Sequence, residues 1–104
     1  MIAQTPNPPY YAVIFTSLLT EDTLGYEDMG DLMVQLAEEQ EGFLGIESVR
    51  SGLGITVSYW DSKESIMKWK KNLDHRQAQK MGKEKWYSSY TTRICLVERA
   101  YSKG

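Results

Sequence analysis

GITVSYWDSKESIMKWKKNLDHRQAQKMGKEKWYSSY, from Gly54 to Tyr90, is the stretch on which the fold is read. It holds all three tryptophans (Trp60, Trp69, Trp86), the only histidine (His75) and three of the seven tyrosines (Tyr59, Tyr87, Tyr90). Ile55, Val57 and Tyr59 alternate with Thr56, Ser58 and Trp60, a period-two run of β-branched and aromatic residues that predicts a strand. Asp61 is the expected N-cap of the helix that follows, with Glu64 three positions on completing a capping box. Ile66, Trp69 and Leu73 then set a helical stripe. A strand that ends in aromatic residues and turns at once into a helix places rings at the rim of a pocket. The same rings also serve as core or interface packing, and both roles stay open.

Outward from this segment the rest of the chain falls into place. Before it, Phe43 to Arg50 reads as a strand, joined to the next by Ser51-Gly52-Leu53-Gly54 as a hairpin connection. Further back, Met29, Leu32, Met33, Leu36 and Ala37 follow the i, i+3, i+4, i+7, i+8 spacing of an amphipathic helix over about residues 23–41, with Gly42 as its C-cap residue. Tyr10 to Leu19 is the first strand, apolar on both of its faces. The Pro-rich arm of residues 1–9 is expected to be extended or disordered. After Trp69, the second helix is expected to bend near Asn72 to Asp74, where Asp74 can cap a new start with Gln77, and to stop at Gly82. A short connection then leads to a last strand over Tyr90 to Tyr101 and a frayed tail at 102–104. The domain proper is read as residues 10–101.

The order is β-α-β-β-α-β, the ferredoxin-like split arrangement, an α+β fold with both helices on one face of an antiparallel sheet. The other face should be polar if it meets water. Here every strand carries apolar residues on both sides, and an apolar sheet face of that size marks an interaction surface. The expected occupant is the same face of a second subunit, giving a homodimer with a dimeric α+β barrel between the sheets.

Composition narrows the function classes. A chain of 104 residues supports a single core. One cysteine, Cys95, rules out an internal disulfide framework, and no Cys/His cluster supplies a zinc ligand set, so no metal site is expected. The N-terminus has no basic n-region, and Thr16 and Ser17 interrupt the apolar run that follows, so no signal peptide, no membrane span and a cytoplasmic location are expected. Residues 1–49 carry nine acidic and no basic side chains, and residues 50–104 carry twelve basic and five acidic ones, −9 against +7. Asp74, Glu64 and Glu84 interrupt the basic run, which favours a solvated helix face over a nucleic-acid footprint.

Two clusters carry chemistry. His75 is the only side chain whose unperturbed pKa lies near neutrality, the natural general base for a phenol; it also fits a surface role in a Lys-rich segment. Arg93 sits mid-strand among apolar neighbours and needs either an anionic ligand or a carboxylate such as Glu47 or Glu98. Both are candidate catalytic residues. Tyr59, Trp60, Trp69, Trp86, Tyr87 and Tyr90 are candidate ligand-binding residues, giving apolar walls with polar tips.

Order, length and aromatic placement together resemble the antibiotic biosynthesis monooxygenase domain family. The matching residues are Gln40-Glu41-Gly42-Phe43-Leu44-Gly45-Ile46-Glu47-Ser48 and Thr56-Val57-Ser58-Tyr59-Trp60. They continue with Ile66, Trp69, His75 and Arg76 through Gly82, then Trp86-Tyr87, Tyr90, Arg93 and Val97-Glu98-Arg99. The resemblance implies a dimeric barrel whose subunits each hold a cleft for a phenolic compound, oxidised without a cofactor. It also implies a role for Trp69, which matches a tryptophan recurring on the family's second helix. Haem-degrading relatives pair that tryptophan with a histidine ten residues later and with an Asn on the first strand. Gln79 stands at the first position here and no Asn at the second, so haem is not an expected substrate. His75 follows Trp69 by six residues, about 240° around a straight helix, so the two share a face only where the helix bends. The implied function is a cofactor-independent monooxygenase acting on a small aromatic or phenolic compound. The alternative is a non-catalytic, small-molecule-binding or stress-associated barrel protein.

Overall fold

A computed structural model of the chain describes residues 1–74, 76 and 84–104. The elements run β1 (Tyr10–Leu19), α1 (Tyr26–Glu38), β2 (Phe43–Ser51), β3 (Leu53–Trp60), α2 (Lys63–Asp74) and β4 (Tyr87–Val97). The strands form one antiparallel sheet in the order β2-β3-β1-β4. This is the ferredoxin-like arrangement expected from the sequence. α1 lies over β2 and α2 over β3, so both helices cover one face.

Helix ends differ from the sequence reading in ways local chemistry explains. α2 is capped by Ser62 and not Asp61: the Ser65 backbone N–H donates to Ser62 Oγ at 3.1 Å. Asp61 instead accepts from the Ser65 hydroxyl at 2.8 Å, so its carboxylate braces the cap from outside. The Asp61 N–H donates to the Gly42 carbonyl at 2.8 Å. A Cβ at Gly42, where φ is +88°, would overlap Ser65 and Asp61. Gly42 is therefore needed for close approach to the α2 cap, and not as the C-cap of α1, which ends four residues earlier at Glu38. α1 starts late as well, at Tyr26, because Gly25 breaks the chain into the left-handed region and offers no capping side chain. Its inward side is Met29, Met33, Leu36 and Ala37 as expected, but Tyr26 joins it and Leu32 turns outward.

β4 begins at Tyr87, three residues before its expected start, after a single helical turn at 84–86. It stops at Val97, which pairs with Tyr10, the first residue of β1. Past that point β1 offers no partner, and residues 98–101 leave the sheet. The expected bend of α2 falls at its described end, Asp74; Gln77, Gln79 and Gly82 lie outside the described residues.

Pairing register assigns each side chain to a face, because antiparallel partners point the same way. Tyr11, Val13, Phe15 and Ser17 share the helix-covered face with Trp60, Ser58, Thr56 and Gly54. Trp60 is its centre, 0% exposed, stacked on Trp69 of α2 at 6.1 Å and edge-on to Phe43 at 5.5 Å. Its indole N–H donates to Ser58 Oγ at 2.9 Å. The opposite face carries Tyr10, Ala12, Ile14, Thr16 and Leu18 with Tyr59, Val57, Ile55 and Leu53. One end of that face is covered by residues 1–9. The Ala3 N–H donates to Glu47 at 3.0 Å, Thr5 Oγ1 and the Tyr10 hydroxyl share a hydrogen bond at 2.9 Å, and Gly45 leaves room for Ala3. The other end is open, with Val49 68% and Leu53 48% exposed.

Candidate functional site

The sequence-derived candidates divide between the two faces. Trp60 is core, with no exposed surface to offer a ligand. Trp69 is the half-buried partner of its stack. Tyr59 points to the helix-free face, where its hydroxyl donates to Glu47 at 2.5 Å. Burial first, and that hydrogen bond second, push the Tyr59 phenol up to about 12. The same bond, helped by the Ala3 N–H, holds the Glu47 carboxyl below its usual value. Arg93 pairs with Ile14 and so also lies on the helix-free face, exposed to solvent. It therefore does not share a cleft with Trp69 and Trp86. Glu47 cannot balance it within the subunit, because the row Glu47–Val57–Ile14–Arg93 sets them three strand spacings apart, roughly 14 Å. His75 lies outside the described residues.

Trp86, Tyr87 and Tyr90 do come together, around residues that the sequence reading passed over. Phe15 lies 5.3 Å from Tyr87 and 5.4 Å from Tyr90, ring centre to ring centre. Tyr26, the first residue of α1, stands edge-on to Trp86 at 5.7 Å and to Tyr87 at 5.9 Å. Against this aromatic wall lies Arg50 of β2. Its guanidinium donates to the Ser17 carbonyl at 3.3 Å, to Ser17 Oγ at 2.5 Å and to the Tyr26 hydroxyl at 3.4 Å. Gly54 makes this possible, because a Cβ there would overlap the guanidinium. The glycine that reads as a hairpin residue is in fact the bed on which an arginine crosses the sheet.

A surface cleft of about 650 Å³ opens beside this cluster, lined by Leu19, Thr23 to Tyr26 and Arg50, with Glu21, Asp22, Glu27 and Asp28 around it. Its wall is tied to the start of β4. The Thr20 N–H donates to the Trp86 carbonyl at 2.7 Å, Thr20 Oγ1 to the Lys85 carbonyl at 2.8 Å, and the Trp86 indole to the Leu24 carbonyl at 2.9 Å. Lys85 also pairs with Asp22 at 3.8 Å across the rim. Tyr87 is held neutral far into the alkaline range, by burial first and its hydrogen bond with Tyr26 second. It can donate a hydrogen bond but does not serve as a base near neutrality. A guanidinium uses five N–H donors; three contacts hold Arg50, and no carboxylate pairs with it among the described residues. The cleft thus combines a fixed cation with the Tyr26 ring and the apolar side chains of Leu19 and Leu24, next to the aromatic cluster, a set that fits a small oxygen-bearing ring.

Among the described residues no group of three or more acidic, His or Cys side chains stands ready to hold a metal, and no helix is long and apolar enough to cross a membrane.

Comparison with known proteins agrees with this architecture. The chain is 49% identical over 100 residues to the uncharacterised protein YqjZ of Bacillus subtilis (strain 168), covering 94% of this chain and 88% of that one. SnoaB, a cofactor-independent oxygenase from Streptomyces nogalater, superposes in a variant form with a TM-score of 0.71 at 10% identity, covering 90% of this chain and 98% of SnoaB. A Pseudomonas aeruginosa protein superposes with a TM-score of 0.69 at 14% identity, covering 92% and 99% of the two chains. At those identities the two structures speak for the fold alone. The model of the antibiotic biosynthesis monooxygenase family matches residues 25–81, more than half of the sequence, and the chain belongs to that family.

Proposed function

We propose that the protein binds a small phenolic aromatic in the cleft between the α1 N-terminus and the sheet and oxidises it with dioxygen as a cofactor-independent monooxygenase. The observation that carries this reading is the Arg50 guanidinium, held by Ser17 and the Tyr26 hydroxyl and seated over the Tyr26 ring, which packs edge-on to Trp86 and Tyr87. Support for the reaction class comes from the family and from the description of SnoaB as a cofactor-independent oxygenase.

Arg50 takes the role first expected of Arg93: it holds the ring oxygen and favours its ionised form. His75 is the proposed base for the phenolic proton, on the strength of its ordinary pKa near neutrality. The electron-rich ring then reacts with dioxygen. A dihydroxynaphthalene becomes a hydroxynaphthoquinone; one oxygen atom enters the ring, and the other leaves as water with the two hydrogens the ring loses. Dioxygen is the oxidant, and the substrate supplies all four electrons.

The free part of the other sheet face is proposed to bind a second copy. A two-fold axis along the strands sets the β2 edge of one copy over the β4 edge of the other and buries the exposed Val49, Leu53 and Ile55 between them.

Quinone formation from 1,5-dihydroxynaphthalene, followed by absorbance under metal-free conditions, tests the enzymatic reading. The wild type should exceed the buffer rate, and Arg50→Met and His75→Ala should lose most of that excess. A wild-type rate equal to buffer would leave a binding protein in its place.

A further inference from the structure

The hydrogen bonds around Arg50 fix the direction of a proton on its neighbour Tyr26. Nη2 carries two hydrogens; one goes to Ser17 Oγ and the other to the Tyr26 hydroxyl oxygen at 3.4 Å. A guanidinium has no acceptor, so the Tyr26 proton cannot be given back to it. The other phenol beside Tyr26 is Tyr87. The bond between them holds the Tyr87 proton in place, as it does when Tyr87 is the donor. A hydroxyl oxygen has two lone pairs and one hydrogen. Arg50 and Tyr87 take the two lone pairs, and among the described residues no group accepts the hydrogen. Among the same residues Tyr26 is the one ring that lines the cleft. It is held from three sides: the Arg50 guanidinium sits 5.6 Å from its centre, and Trp86 and Tyr87 stand edge-on at 5.7 and 5.9 Å. Its backbone is set as well, because the Tyr26 N–H donates to the Thr23 carbonyl at 3.0 Å where α1 opens.

We propose that the Tyr26 hydroxyl is a ligand-binding donor, giving its proton to a neutral acceptor oxygen on a small ring compound in the cleft. A ring carbonyl or the oxygen of an unionised phenol is such an acceptor. This role rests on the cleft being the ligand site, but it does not need turnover. The two donations into Tyr26 polarise its O–H bond and strengthen the bond it makes in turn. Donor and acceptor are both uncharged, so the bond does not depend on the carboxylates of Glu21, Asp22, Glu27 and Asp28 around the cleft. The ring is fixed before a ligand arrives, and little ordering is lost on binding.

The test uses two ligands of one shape, 1-tetralone with a ring carbonyl and tetralin without it. Both are titrated by NMR near neutral pH into the wild type, Tyr26→Phe and Tyr87→Phe. Tyr26→Phe removes the hydroxyl and keeps the ring. It should weaken tetralone binding about fivefold, the scale of one neutral hydrogen bond, and leave tetralin binding unchanged. The carbonyl carbon signal of tetralone should move downfield on binding to the wild type, and Tyr26→Phe should lose much of that move. Tyr87→Phe, which removes a donor into Tyr26, should keep most of both effects. Equal tetralone affinity and an equal carbonyl shift in wild type and Tyr26→Phe overturn the proposal. So does a loss confined to Tyr87→Phe, which reverses the direction of the phenol pair. A Tyr26→Phe loss that falls equally on tetralone and tetralin overturns it too, since the hydroxyl then acts only on the shape of the cleft. No saturable shift of the Leu24, Tyr26 and Arg50 amides with either ligand removes the cleft as the ligand site, and the donor with it. A loss on tetralone alone, in a protein that forms no quinone, upholds the donor while removing the oxygenase reading.

Discussion

The two faces of this sheet are built from the same alternating strands, yet they treat charge and apolar area in opposite ways. On the helix-covered face Trp60 is sealed between Phe43 and Trp69, and a cation, Arg50, is fixed by Ser17 and Tyr26 beside an aromatic cleft. On the helix-free face an anion, Glu47, is fixed by Tyr59 and by residues 1–9, while Val49 and Leu53 stay open. A pattern of two apolar faces therefore does not mean two cores. The helix-covered face is sealed around Trp60 and carries the cleft, with Ile94 and Leu96 of β4 still exposed at its edge; the helix-free face keeps Val49 and Leu53 exposed and is the one proposed to meet a second copy.

The largest expected effect lies at the sealed centre. Trp60→Ala removes a fully buried ring and should cost about 3–5 kcal/mol, read as a lower urea midpoint. Val49→Ala on the open face, measured where the chain is monomeric, should stay within about 0.5 kcal/mol. Comparable costs would mean that the two faces are not as unlike as the structure has them.

Next comes assembly. Wild type should sediment as a dimer at low micromolar concentration, and Ile55→Lys should halve the mass without loss of helix signal. A monomeric wild type would remove the proposed partner from the open face. Gly54→Ala, by contrast, acts on the covered face. It should leave the dimer intact and cost about 1 kcal/mol, from the hydrogen bonds to Ser17 lost when the flexible end of Arg50 is displaced.

The smallest effects are in titration. Tyr59, raised from 10.0 to about 12, favours the folded state fully below its ordinary value, and that contribution is lost as pH rises from about 10 towards 12. Glu47, lowered in the folded state, contributes above the ordinary carboxylate value, and this is lost as pH falls through its lowered one. Glu47→Gln should bring the Tyr59 transition in ultraviolet absorbance partway back towards 10. An unchanged transition would show that burial alone sets it.

The fold was largely legible because its signals are periodic. Alternation in Ile55 to Trp60 and in Tyr10 to Leu19 marks strands, and the Met29–Met33–Leu36 spacing marks α1. The cleft was less so. Trp86, Tyr87 and Tyr90 stand out by their clustering in sequence; in space Tyr87 and Tyr90 meet Phe15, and Trp86 meets Tyr26. Arg50, Ser17 and Tyr26 come from three elements, and no local pattern joins them. One signal was available: Arg50 and Gly54 face each other across a hairpin, and a glycine opposite an arginine leaves the room a guanidinium needs to lie flat. Arg93 misled because its apolar neighbours suggested burial. At an edge strand the same neighbours leave it exposed. The Ser62 cap was missed because Asp61 and Ser62 are both good caps, and only the fold around Gly42 decides between them.

Amide NMR titrated with 1,5-dihydroxynaphthalene tests the central claim, that the cleft beside Arg50 is the ligand site. Shifts should centre on Thr23 to Tyr26, Arg50 and Tyr87, with the Arg50 side-chain N–H signals among the largest. Shifts confined to Val49, Leu53, Ile55 and Arg93 would contradict it, placing the ligand on the opposite face of the sheet.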